Sequence, residues 1–220
     1  MTDPAQSILH DQRGMSGPQV VGILLAAGRS RRFGADKRVA VLSDGTTLLG
    51  AALRALQTAT DRVLVVLRPD DRDLAAQLTD GGVPWLACPD ADLGMGHSLA
   101  AAARHLHPPV PHAPGVVVPA VLVALGDMPC IQPATYALLV QALRTGATLV
   151  RPTWQGQAGH PVGFGPALLS GLGALQGEHG ARALVQAAGD TCTWIAVEDP
   201  GIVRDVDTPE ALATFVTHSC

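Results

Sequence analysis

Arg29, Arg31, Arg32, Lys37 and Arg38 place five of the chain's 15 Lys and Arg residues in ten consecutive positions, against one local acid, Asp36. The stretch from Leu24 to Lys37 starts as an apolar run and becomes a loop carrying Gly28 and Gly34. Glycine lets a backbone come close to a ligand. Exposed N–H groups together with Arg and Lys make a cradle for phosphate. The spacing is that of neither common phosphate loop. Five residues separate Gly28 from Gly34, which rules out G-x-G-x-x-G, and Ala35 stands where a P-loop needs Lys. On charge and glycine alone, a solvated basic loop is the competing reading.

Other residues could join such a site. Asp127 follows the apolar run ending at Leu125. A carboxylate there suits Mg²⁺, a hard ion that takes oxygen ligands, although an Asp before Met128 and Pro129 could equally form a turn. Asp207 opens "DTPE", which reads as a helix N-cap with Pro209 in the first turn. "GMGHSL" puts Gly96 and Ser98 near a helix start, with a plain cap as the alternative; the role of His97 is open. His160, before Pro161, either touches a ligand or orders the turn, and Arg182 reads equally as a surface helical residue. His105, His107 and His112 lie close together, but with no Cys or acid beside them they read as part of a solvated insertion.

The elements that must position these residues alternate. Apolar strands are expected at Val20–Ala26, Arg62–Leu67, Val83–Ala87, Val121–Leu125, Ala147–Arg151 and Thr193–Val197, with a last short one near Ile202–Val206. Helices are expected at Leu48–Gln57, Asp70–Leu78, Ser98–His105, Pro133–Arg144 and Ala181–Ala188, and from about Pro209. Alternation of this kind implies a single-domain, Rossmann-like α/β fold of three layers, with a mostly parallel sheet covered on both faces. Ligands of such sheets bind beyond the carboxyl ends of the strands. The arginine loop, "LGMGHS" and "GDMP" all follow strands and should line one crevice. Residues 1–17 read as a loose tail, with Met15 an alternative start, and 18–220 as the domain. A Pro-rich surface insertion falls near 107–119.

Composition bounds the rest. At 47% hydrophobic and 15% charged, the chain has ample material for a core; with 3% aromatics that core must be Ala, Val and Leu. A net charge of −4 argues against general nucleic-acid binding. No apolar run approaches the length of a membrane span, and the first residues lack the apolar stretch of a signal peptide. Cys88, Cys130, Cys192 and Cys220 form no C-x-x-C pair, so a reduced, cytoplasmic protein without zinc or a disulfide framework is expected.

Leu25, Ala26, Ala27, Gly28, Ser30, Arg32, Phe33, Gly34 and Lys37 match L-A-A-G-x-S-x-R-[MF]-G-x-x-K, the signature loop of sugar-nucleotide-type nucleotidyltransferases. "GMGHSL", "GDMP", "GHPV", "GEHGAR" and "DVDTPEAL" follow in the order found in one branch, and the chain resembles the molybdenum-cofactor nucleotidyltransferases over nearly all its length beyond the tail. The resemblance implies the nucleotide-diphospho-sugar transferase type of fold. It puts a triphosphate on the arginine loop, with Arg32 and Lys37 as main contacts and backbone N–H groups near Ala27 to Ser30. Leu25, Ala26, Gly34, Gly96 and Ser98 complete the nucleotide site, and Arg29 and Arg31 are left to solvent. It makes Asp127 and Asp207 the ligands of Mg²⁺, with Asp205 in reserve, and Lys37, Arg32 and Asp127 the catalytic group. His160 and Arg182 would meet the acceptor.

In that family the acceptor is molybdopterin phosphate, and the nucleotide is CTP or GTP. The guanylyl branch usually has glycine where Ala27 stands, so the added β-carbon, with "GHPV" and "DVDTPE", points to CTP. A phosphomonoester has a second pKa near 6 and is largely ionised at neutral pH, so no protein base is needed. The alternatives are a guanylyltransferase, transfer to another phosphorylated acceptor, or a non-catalytic module that hands the cofactor to an apo-molybdoenzyme. A nicotinamide oxidoreductase is disfavoured: Asp70 lies about 40 residues past Gly28, not about 20.

Overall fold

The computed structural model describes residues 17–30, 32–107 and 117–217. The tail expected over 1–17, apart from Gly17, and most of the Pro-rich insertion with His112 lie outside the described residues, as do Arg31 and Cys220. Eight strands form one sheet: β1 (Val20–Leu25), β2 (Arg62–Leu67), β3 (Trp85–Ala87), β4 (Ala120–Leu125), β5 (Leu149–Trp154), β6 (Gln157–Ala158), β7 (Val162–Phe164) and β8 (Cys192–Ala196). The helices are α1 (Leu48–Ala59), α2 (Arg72–Asp80), α3 (Met95–Leu106), α4 (Pro133–Arg144), α5 (Leu169–Gly173), α6 (Arg182–Ala188) and α7 (Pro209–Thr217).

Strand β1 explains why the runs are uniformly apolar. Alternate residues face opposite sides of a strand, and here both sides are covered. Val20, Leu24 and Ala26 enter one core with Leu49, Leu53 and Leu56 of α1 and Leu139, Val140 and Leu143 of α4. Val21, Ile23, Leu25 and Ala27 enter the other, with Leu99, Ala103 and Leu106 of α3 and Leu169 and Leu172 of α5. Gly22 lets α1 approach, since a β-carbon there would stand 2.6 Å from Leu56 Cγ.

The sheet order is β3-β2-β1-β4-β7-β5-β6, with β8 beside β5. β1 pairs in parallel with β2 and β4, β2 with β3, and β5 with β8. The chain winds outward from β1 through β2 and β3, then returns to β4 on the other side of β1. That reversal between β1 and β4 is the switch point at which ligands of such sheets bind.

Three features differ from expectation. The loop or hairpin read at residues 154–164 is a hairpin whose return limb enters the sheet. β6 and β7 both run antiparallel along one edge of β5, opposite β8, and β7 crosses to pair with β4. Between them Gly159, His160 and Pro161 make a break containing a cis His160–Pro161 bond. Only glycine fits at 159, where a β-carbon would lie 2.3 Å from Ile202 O. The strand expected near Ile202–Val206 is instead a 3₁₀ turn, Pro200–Val203, followed by extended chain. It packs too tightly for a ladder: a β-carbon on Gly201 would meet Cys130 O at 2.1 Å. Cys88 and Cys192 are free and buried, whereas Cys130 is disulfide-bonded, contrary to the expectation of reduced thiols throughout.

Candidate active site

Beyond the carboxyl ends of β1 and β4 lies a cavity of about 430 Å³, and the arginine loop, the segment before α3 and "GDMP" all line it. The loop is shaped from behind by Arg38, whose role here sequence reasoning missed, and by Arg68 and Asp71, which it did not single out. Arg38, with a 5% exposed surface, donates through Nη1 to Ala26 O at 2.7 Å and forks onto Asp71, itself 8% exposed. Arg68, just past β2, donates to Gly28 O at 2.8 Å and to Asp71 Oδ1 at 2.9 Å. Both cations are thus taken by one buried carboxylate and by loop carbonyls. The Arg38 guanidinium has its pKa raised: burial opposes the charge, and the bonds to Asp71 and Asp36 overcome it. The strand-end rule that pointed to the other loops also points to Arg68.

Two cations hidden in this way leave the loop's amides for a ligand. No acceptor among the described residues takes the N–H groups of Ala27, Gly28, Arg29 or Ser30. Ser30 has φ 51° and accepts from Lys37 N at 3.3 Å, which folds the loop back on itself. A β-carbon on Gly28 would touch no protein atom within 4 Å. Nothing internal requires glycine there, which is the arrangement expected where a ligand comes close.

The loop's charge is not unopposed. Acids from distant segments meet it, which the local sequence could not show. Arg29, expected in solvent, forks onto Asp92, with Asp70 3.9 Å away. Arg32 pairs with Asp207 at 2.8 Å, and the Lys37 ammonium stands 2.8 Å from Asp127 Oδ2 and 2.7 Å from Asp207 Oδ1. Burial lowers the Lys37 pKa, but its hydrogen bonds to Asp127 and Asp207 outweigh it and the net shift is upward. The hydrogen bond from Lys37 holds Asp207 below the usual carboxylate range.

The two competing roles for the acids are resolved by who caps each helix. The N-terminus of α4 is bound by Asp199, which accepts from Gln132 N at 2.8 Å and Thr135 Oγ1 at 2.6 Å, so Asp127 does not cap it. At α7, Thr208 Oγ1 accepts from Ala211 N at 3.2 Å, which leaves Asp207 free for the crevice. Val206 N donates to Asp127 O at 2.9 Å and its side chain is fully buried, fixing Asp205 and Asp207 on either side of it. Ligand oxygens of Asp127, Asp205 and Asp207 come within 4.8 Å of one another. Asp127 Oδ1 is buried without a hydrogen-bond partner. An orphaned carboxylate oxygen among clustered acids fits a hard divalent cation.

Of the residues expected at the nucleotide, Leu25, Ala26, Ala27, Gly28, Ser30, Arg32, Lys37 and Ser98 line the cavity with Asp127 and Asp207. Gly34 and Gly96 do not. Gly34 serves the turn with φ 76°. Gly96 donates to Gly177 O at 2.8 Å, and a β-carbon there would meet Gln176 O at 2.7 Å. The glycines of "GMGHSL" therefore seat α3 on the "GEHGAR" turn, which brings Glu178 to the cavity. His97 lines neither this cavity nor the adjoining one, where His160 and Arg182 are found.

A family model described as the MobA-like NTP transferase domain matches residues 22–192. The chain belongs to that family. It is a nucleotidyltransferase, and enzymes of this type use a divalent metal. Purine catabolism protein PucB of Bacillus subtilis is 30% identical over 209 residues, covering 89% of this chain and 95% of PucB. A probable molybdenum cofactor guanylyltransferase of Chloroflexus aggregans is 34% identical over 67% of this chain and 62% of its own length. Rv0371c of Mycobacterium tuberculosis superposes with a TM-score of 0.75 at 26% identity, over 90% of this chain and 98% of that one. A manganese complex of Rv0371c is also similar, with a TM-score of 0.74 at 25% identity. Among the described residues, no helix is long and apolar enough to cross a membrane.

Proposed function

We propose that this MobA-like transferase moves CMP from CTP to the phosphate of molybdopterin, releasing pyrophosphate. The observation that carries the proposal is the meeting of Lys37, Arg32 and three carboxylates beside a loop whose amides are free. Asp127, Asp205 and Asp207 would hold Mg²⁺, which offsets negative charge on the phosphates and on the leaving pyrophosphate. The loop amides of residues 27–30 orient the triphosphate. Lys37 and Arg32, now paired with the acids, are within reach of the phosphates that would share them. An acceptor phosphate oxygen then forms a bond to the α-phosphorus as the bond from that phosphorus to the bridging oxygen breaks. The electron pair leaves on pyrophosphate. The acceptor oxygen is already ionised, so the protein's work is positioning and charge stabilisation.

His160 and Arg182 line the adjoining cavity and are assigned to the acceptor. The base assignment is supported by Ala27, which lines the nucleotide cavity, on the expectation that its β-carbon makes the base slot narrower than a glycine would. The Chloroflexus relative supports GTP as the second reading. Pyrophosphate release is to be measured with each of the four nucleoside triphosphates, Mg²⁺ and purified molybdopterin, and the dinucleotide product identified. CTP should be preferred; equal or faster turnover with GTP would reject the cytidylyl assignment.

A further inference from the structure

The second cavity, about 360 Å³, adjoins the first and shares Leu25, Met95 and Leu125 with it. Its walls are largely apolar, formed by residues such as Leu99, Val123, Val162 and Phe164. Arg151 of β5 also lines it, and this cation differs from those of the arginine loop. Arg29, Arg32, Lys37, Arg38 and Arg68 each hold a carboxylate. Arg151 has no acidic partner among the described residues. Its Nε is buried without a hydrogen-bond partner, and Nη2 reaches Gly159 O only at 3.3 Å. The guanidinium instead lies over the Trp194 ring, 5.7 Å from the centroid, where cross-strand pairing sets Trp194 beside it.

Arginine does not deprotonate in proteins, so burial cannot neutralise this group. Arg151 is half-buried with its Nε wholly out of water; a charge held partly out of water without a counter-charge is costly, and a donor edge left open beside a cavity is suited to an anion supplied from outside. A guanidinium offers Nε and an Nη in a fork that matches two oxygens of a phosphate. Beside Arg151 stands His160, whose buried Nδ1 is also without a partner. Burial, then Arg151, push its pKa down to about 4. It is therefore neutral at pH 7 and adds a hydrogen-bonding atom with no charge of its own.

His160 N donates to Ile202 O at 2.9 Å, and Val206 N donates to Asp127 O at 2.9 Å. The segment from 202 to 206 thus fixes the apolar cavity and the acidic cluster relative to each other. We infer that Arg151 is the anion grip of the acceptor site, binding an oxyanion of the acceptor while the apolar walls take its ring body. The inference rests on the reading that the acceptor is a phosphomonoester, and it adds the residue that selects for that charge.

Phenyl phosphate, an aromatic phosphomonoester, is the probe. It is titrated into the full chain already saturated with Mg²⁺ and whichever nucleoside triphosphate the protein binds tightest, so that the arginine loop is occupied. The Arg151 Nε–H cross-peak, assigned by its loss in Arg151→Lys, is followed by nitrogen–proton correlation spectroscopy. The expected result is a saturable shift of that peak, with binding weakened about tenfold or more in Arg151→Gln and triphosphate affinity unchanged. Benzyl alcohol should leave the peak in place. No saturable binding, or equal affinity in Arg151→Gln with triphosphate binding intact, would overturn the assignment. A preference for GTP would remove the cytidylyl reading and leave this result standing, so the two failures are separable.

Discussion

The two cavities of this transferase treat positive charge in opposite ways. Around the arginine loop, Arg29, Arg32, Lys37, Arg38 and Arg68 are paired with Asp92, Asp207, Asp127, Asp36 and Asp71 before any ligand arrives. In the adjoining cavity Arg151 and His160 have buried nitrogens without partners. A site built of charge pairs is already assembled when it meets a triphosphate and a metal, and its ions need only exchange partners. A site built around an unpaired cation in apolar walls relies on the ligand to complete it. The first arrangement tolerates several ligand charges; the second, with Arg151 and Arg182 in its lining, needs an anion to complete it.

The contrast can be broken at four points. Asp127→Ala removes the carboxylate whose Oδ1 is orphaned and takes one acid from the cluster of three. Metal-dependent transfer should fall about a thousandfold, with the far-ultraviolet circular dichroism unchanged; full activity would sink the metal assignment. Next in size, Asp71→Ala removes the buried carboxylate shared by Arg38 and Arg68, leaving them only the more exposed Asp36 and Asp70. Loss of one partner from a buried pair costs about 3–5 kcal/mol, and urea unfolding should show a loss of that order together with weakened nucleotide binding.

His160 sharpens the second cavity's side of the comparison. Its folded pKa, about 4, lies below the ordinary value of 6.5, first through burial and then through Arg151, with Asp127 opposing. Below pH 6.5 the unfolded chain takes up a proton that the folded chain does not. This contribution to stability is therefore complete above 6.5 and is lost as pH falls toward 4, by about 3 kcal/mol. Denaturation curves across that window should show the loss in the wild type and a smaller one in His160→Gln. The smallest effect is at Arg32, whose side chain is 78% exposed. Arg32→Ala should weaken triphosphate binding about tenfold by calorimetry, with stability nearly unchanged.

Much of the architecture was legible because local rules and the fold agree. Arg62–Leu67 and Pro133–Arg144 were readable to the residue from an apolar run and from Pro at a helix start. The loops past β1 and β4 were placed by the parallel-sheet rule. Partnership was not legible. Asp71 is 33 residues from Arg38, and Asp207 is 170 from Lys37, and no short-range pattern encodes such pairs. "RDVDTPE" carries both a cap and a site, and only the structure shows that Thr208 does the capping. The extended look of Ile202–Val206 concealed a 3₁₀ turn because close approach of Gly201 to Cys130 O is a tertiary constraint. Arg151 was read only as the end of a strand; its missing partner is visible only once its neighbours are known.

The proposed transfer requires the arginine loop and the acidic cluster to act on one triphosphate. The direct measurement is the anomalous difference map of a crystal grown with Mn²⁺ and a non-hydrolysable CTP analogue. One manganese peak should lie among Asp127, Asp205 and Asp207, with the phosphates against the amides of residues 27–30. A peak remote from Asp127, or phosphates seated away from that loop, would contradict it.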